Sequence, residues 1–196
     1  MRKDWLFFTI ATAALACGSL QAGNITYLVN GAAGTGTFSG FITTDGTIGT
    51  LGTGNILDWN VLLTDGAAFD LEGPLSGDNS GTLVGAADLT ATATQLLFNF
   101  SSTSGGFFLL ESPAPGEDGE YICYDDTAVV CGNPAFSASV SIGTTDPLTN
   151  SVATELSGNQ VIAQVEAEGV PEPGSLILVA CGLLGVAALG GRRFFS

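Results

Sequence analysis

Asn55-Ile56-Leu57-Asp58-Trp59-Asn60-Val61-Leu62-Leu63-Thr64 decides the fold class. Leu57, Trp59, Val61 and Leu63 fall on one side of an extended chain, and Asp58 and Asn60 take the other, which is the two-residue period of a half-buried strand. Trp59 reads as a core anchor. Asp65-Gly66 follows and turns the chain, with Ala67 to Leu71 as the next strand. Upstream, Asn24 to Asn30 and Thr35 to Thr44 are rich in Thr, aromatic and β-branched residues, and Asp45-Gly46 predicts a hairpin turn into Thr47 to Leu51. Downstream, Gly73 to Gly81 is loop by its Gly, Pro, Ser and Asn content. Strands are expected at Thr82 to Leu89, Thr92 to Phe100, Gly106 to Glu111 and Glu120 to Tyr124, with Ser112 to Gly119 as a loop. In Ala135 to Ile142, Phe136, Ala138, Val140 and Ile142 are expected inward and Ser137, Ser139 and Ser141 outward. Gln160 to Glu168 repeats the design, with Val161, Ala163, Val165 and Ala167 inward. No long helical period appears between Gly23 and Gly169, so the expectation is an all-β chain, a single antiparallel β-sandwich or jelly-roll-like domain.

Charge is distributed unevenly. The four basic residues are Arg2, Lys3, Arg192 and Arg193, and there is no His. The body from Gly23 to Gly169 therefore contains no cationic side chain, while seventeen of the nineteen acids lie in it. Nucleic-acid binding is excluded, because that affinity depends on Lys and Arg neutralising phosphate. A body of this kind repels anionic surfaces and attracts cations at least diffusely.

The same composition removes most catalytic chemistry. Without His there is no serine or cysteine triad of the usual kind and no His-ligated zinc or copper site. Without Lys or Arg there is no Schiff-base amine and no phosphate clamp. Paired carboxylates remain, as in glycosidases, but no spacing singles out such a pair. The chain is read as a non-enzyme with no obligatory cofactor. One acidic cluster wraps around Cys123, and Glu117, Asp118, Asp125 and Asp126 are its candidate ligands for Ca²⁺, which takes six to eight oxygens in flexible geometry. Neither an EF-hand nor a nonapeptide calcium repeat is present. Trp59, Tyr121 and Tyr124 are the aromatics available for stacking on a sugar.

Both ends read as addresses. Met1 to Ala22 has a basic start in Arg2 and Lys3, an apolar run from Trp5 to Cys17 and a small residue at Ala22, which is the pattern of a secretory signal peptide. At the other end, Val170-Pro171-Glu172-Pro173-Gly174-Ser175 breaks any element leaving the body, because Pro lacks a donor and restrains the residue before it. An uncharged apolar run follows, read as a single transmembrane helix over 176–190, and then a basic end, 191–196, carrying Arg192 and Arg193. At about 1.5 Å per residue, Ser175 to Gly190 makes a helix of roughly 24 Å, short of a hydrocarbon core of about 30 Å. Such a span is a weak permanent anchor, with the arginines on the cytoplasmic side. The chain thus divides into 1–22, 23–169 and 170–196. In the exported body Cys123 and Cys131 form an even count in an oxidising compartment and are expected to pair, closing a short loop worth about 2 kcal/mol.

This layout from Val170 to Arg193 resembles the PEP-CTERM sorting signal of Gram-negative bacterial surface proteins, a tail also called the ice-binding protein C-terminal domain. The resemblance rests on Val170, Pro171, Glu172 and Pro173, the apolar span and the basic stop. It implies a chain that crosses the inner membrane through the Sec translocon, loses its leader to signal peptidase, is held briefly by its terminal helix and is then processed by exosortase. The destination it implies is the outer cell surface or the extracellular polysaccharide matrix. The expected role is that of a displayed structural or interaction protein, the alternative being a lectin-like or calcium-dependent ligand-binding module on the same tail.

Overall fold

The computed structural model describes residues 23–127, 136–143 and 151–165. They build β1 (Ile25–Ala33), β2 (Gly36–Thr44), β3 (Gly49–Thr50), β4 (Ile56–Asp65), β5 (Ala67–Glu72), β6 (Gly81–Gly85), β7 (Leu89–Ala91), β8 (Gln95–Asn99), β9 (Phe107–Glu111), β10 (Tyr121–Asp125), β11 (Ser139–Gly143), β12 (Ser151–Glu155) and β13 (Asn159–Gln164). All pairings among them are antiparallel. An eight-stranded sheet runs β3-β7-β8-β13-β1-β2-β4-β5, and a five-stranded sheet runs β12-β11-β10-β9-β6. Tyr27, Ile42, Leu71 and Phe98 from the first meet Phe108, Leu110, Ile122 and Ile142 from the second in one core. The all-β expectation holds, and two antiparallel sheets over one core are consistent with a β-sandwich.

The deciding stretch behaves largely as its alternation predicts. Trp59, Val61 and Leu63 are buried in the core, but Leu57, expected with them, is only half-buried and Ile56 takes the core position, because the register slips opposite Thr43 and Thr44. Asp58 departs from the alternation: it is buried too, because the loop after β5 folds over it, and its carboxylate accepts hydrogen bonds from Leu75 N at 3.0 Å and Ser76 Oγ at 2.7 Å. Trp59 Nε1 donates to Ser80 Oγ at 2.9 Å, so the same loop satisfies the indole. Asp65-Gly66 turns β4 into β5 as expected, with Gly66 at φ +81°, in the left-handed region that Gly enters without strain. At Gly40, where β2 lies close to β4, a Cβ would collide with the Asn60 carbonyl.

Several boundaries moved for identifiable reasons. Asp45-Gly46 does not make a hairpin. Its carboxylate accepts from Thr47 N at 2.9 Å and from Asn55 Nδ2 at 2.9 Å, and the short β3 crosses to pair with β7. The single strand expected over Thr82 to Leu89 is two, because the chain leaves the five-stranded sheet after Gly85 and joins the eight-stranded one at Leu89, with Ala86 at φ +53° in the corner. Thr92 to Thr94 belong to the β7–β8 turn, where Thr92 Oγ1 accepts from Thr94 N and Gln95 N. Ser139 and Ser141, expected outward, are nonetheless fully buried. They face away from the core beside Asp125 and Cys123, on a side closed to solvent that also holds Leu109 and Tyr121. Val161, expected inward, is 47% exposed, because the register slips between Val161 and Ala163 and reverses the alternation there. β12 was not anticipated.

Candidate functional site

Strand β10 separates the acids singled out from the sequence. Glu117 and Asp118 are exposed in the loop before it, whereas Asp125 ends the strand and Asp126 follows, both buried. At about 3.4 Å per residue, the four steps from Tyr121 to Asp125 alone advance the chain by roughly 14 Å away from the loop that carries Glu117 and Asp118. The four carboxylates therefore do not converge, and no group of three or more His, Cys, Asp or Glu among the described residues is arranged to hold a metal. Glu117 and Asp118 act instead on Glu111, whose carboxyl is pushed above the ordinary glutamate range by burial first, with added repulsion from Asp118 and Glu117. One Glu111 oxygen accepts from Gly116 N at 2.6 Å, and the other accepts nothing.

Cys123 is disulfide-bonded. Its expected partner Cys131 lies outside the described residues, as do the sorting motif Val170, Pro171, Glu172 and Pro173, the expected span 176–190 and the basic stop Arg192 and Arg193. Among the described residues no helix is long and apolar enough to cross a membrane. Trp59, Tyr121 and Tyr124 are buried, at 3%, 0% and 3% exposure, so none of the three offers a face for a sugar to stack on.

Two surfaces remain. One is a cleft of ≈ 430 Å³ beyond the end of β10, lined by Phe100, Asp126, Thr127, Ser137, Glu155 and Leu156 among others. Asp126 is 4% exposed, and neither of its carboxylate oxygens accepts a hydrogen bond. The other surface is the outward face of the eight-stranded sheet. Register places Leu28 beside Phe41 and Asn60, Asn30 beside Ser39 and Leu62, and Thr26 beside Thr43, whose hydroxyls lie 2.8 Å apart. Leu28, Leu62 and Val161 are the exposed large apolar residues of this face. Across β8, β13, β1 and β2 its outward positions are Thr, Ser, Asn, Gln and apolar residues without one acid; carboxylates begin only at Asp58, under its loop, and at Asp70 and Glu72 on the edge strand. Sequence reading missed Glu155 as a cleft residue, since only the β11–β12 pairing brings it near Asp126, and no local motif marks it. Protein-family models, curated proteins and solved structures were each compared with this chain, and none matches it.

Proposed function

We propose that the chain is an exported, non-enzymatic β-sandwich protein, sorted by exosortase through its C-terminal tail to the cell surface or the extracellular polysaccharide matrix. The observation that carries this reading is the three-part tail from Val170 to Arg193, paired with the leader Met1–Ala22 around a body that has no Lys, Arg or His. All four cations sit in the two end segments, where membrane orientation uses them. The body's composition agrees, having no residue set for the usual nucleophilic chemistry. The disulfide at Cys123 fits an oxidising compartment.

The uncharged outward face of the eight-stranded sheet supports display rather than catalysis. In a body carrying seventeen acids, a broad face of hydroxyl, amide and apolar side chains suits a neutral, hydroxyl-rich polymer. Polar groups there can exchange hydrogen bonds with sugar hydroxyls while Leu28 and Leu62 cover C–H surface. Anionic partners are repelled by the surrounding carboxylates. The test is mass spectrometry of the C-terminus of protein recovered from the surface of exosortase-bearing cells. The expected product ends near Pro173, and an exosortase-deficient strain retains the full tail. Surface protein with Arg193 intact overturns the sorting reading.

A further inference from the structure

A buried carboxylate in this body has few ways to be satisfied. No Lys, Arg or His exists between Gly23 and Gly169, so no side-chain cation of the body can neutralise it. Asp58 and Glu111 solve the problem with N–H or O–H donors, Asp58 through Leu75 and Ser76 and Glu111 through Gly116. Asp125 accepts from Thr127 N at 2.8 Å. Asp126 has no such donor on either oxygen, although it is 4% exposed, and it borders the cleft beyond β10. Leaving an ionised carboxylate buried and unpaired is among the costliest arrangements in a fold, and a bound cation relieves it.

The cleft favours the metal. Glu155, on the last residue of β12, supplies a second carboxylate, and Ser102, Thr103, Thr127 and Ser137 supply hydroxyls. Every polar side chain among its lining residues carries oxygen, and none offers nitrogen or sulfur, which selects a hard cation over zinc or copper. Its volume, ≈ 430 Å³, leaves room for the water that completes a calcium shell. We propose that this cleft binds a divalent cation of the calcium type through Asp126 and Glu155. The site is distinct from the Glu117–Asp118 loop, and it does not depend on the sorting reading. With two carboxylates and otherwise neutral oxygens, its dissociation constant should be on the order of 10⁻⁴–10⁻³ M, the range of extracellular calcium modules.

Calorimetric titration of the full chain in detergent with calcium chloride, at high sodium chloride to suppress diffuse binding, tests the proposal. Saturable uptake of one ion is expected, weakened at least tenfold in Asp126→Asn and in Glu155→Gln and unchanged in Asp70→Asn, which alters an exposed acid on the edge strand. Asn is nearly isosteric with Asp, and circular dichroism confirms that the variant folds. Terbium luminescence excited through protein aromatics provides a second readout, quenched by calcium in the parent chain and absent in Asp126→Asn. No saturable uptake by the parent chain, equal uptake by folded Asp126→Asn, or full replacement of calcium by equimolar magnesium would each overturn it.

Discussion

Tyr124 sits among Phe38, Phe98, Phe100 and Phe108, stacked on Phe108 at 5.8 Å and met edge-on by Phe38 at 6.2 Å. Its hydroxyl is buried and has no hydrogen-bond partner, and burial pushes the phenol well above its ordinary range. The ring stabilises the core, while the oxygen costs the desolvation of a polar group. Tyr124→Phe keeps the ring and removes the penalty. It is expected to stabilise the protein by about 1 kcal/mol, a rise in Tm of about 2–6 °C by calorimetry. A fall in Tm would mean that the hydroxyl is satisfied. Tyr27, also buried, contrasts with it: its hydroxyl donates to the Thr92 carbonyl at 2.7 Å and closes the β7–β8 turn against β1.

At the scale of elements, the edge strand β5 is capped by Asn79 and Ser80, whose backbone N–H groups both donate to the Glu72 carbonyl. Asn79 Oδ1 accepts from Glu72 N at 2.8 Å and its Nδ2 donates to Asp70 O at 2.8 Å, so the amide imitates a neighbouring strand. Open strand edges recruit other chains, and capping them is how folded proteins avoid it. Asn79→Ala should cost about 1–2 kcal/mol and expose two backbone groups. Light scattering is expected to reveal concentration-dependent association that the parent chain lacks; a monomeric variant at high concentration would show that the cap is dispensable. The cap illustrates what was legible in the sequence and what was not. Alternation around Trp59 and around Leu96, Phe98 and Phe100 correctly separated core from surface, because each strand buries one face against the opposite sheet. It did not foresee that Asp58, Ser139 and Ser141 are buried, since a period of two distinguishes faces without saying which of them is wet. Gly85 to Leu89 looked continuous because only small residues and the single acid Asp88 separate Gly85 from Leu89, and no Pro or Asn-Gly pair marks the corner between sheets. The cleft was half legible: Asp126 stood out as an acid, but Glu155 reaches the same cleft only through strand pairing across residues remote in sequence.

For the molecule at large, the absence of cationic side chains between Gly23 and Gly169 governs how the stability of the body responds to solution conditions. Glu111 and Glu120 are both held above the ordinary glutamate value, chiefly by burial, with repulsion from Asp118 and Glu117 on the first and from Asp65 on the second. The folded state therefore binds protons at these sites more tightly than the unfolded chain, and stability rises as pH falls through their raised range toward the ordinary value of 4.5. Asp45 acts oppositely. The Asn55 amide, then the Thr47 N–H and hydroxyl, hold it below 3.8, so its contribution is complete above that value and is lost in stronger acid. Thermal unfolding should accordingly show Tm climbing from pH 7 to about 5 and falling below about 3.5. Glu111→Gln should flatten the climb; an unchanged slope would remove Glu111 as its source.

The eight-stranded sheet is finished by the segment that comes last among its members. β13 lies between β8 and β1, so it is the central stave on which two otherwise separate ribbons, β3-β7-β8 and β1-β2-β4-β5, are joined. Until Asn159–Gln164 arrives, neither ribbon can close against the other, and the early part of the chain must wait as an incomplete scaffold. Such long-range closure slows folding, because the loop between β8 and β13 and the one between β1 and β13 must both be closed before their contacts form.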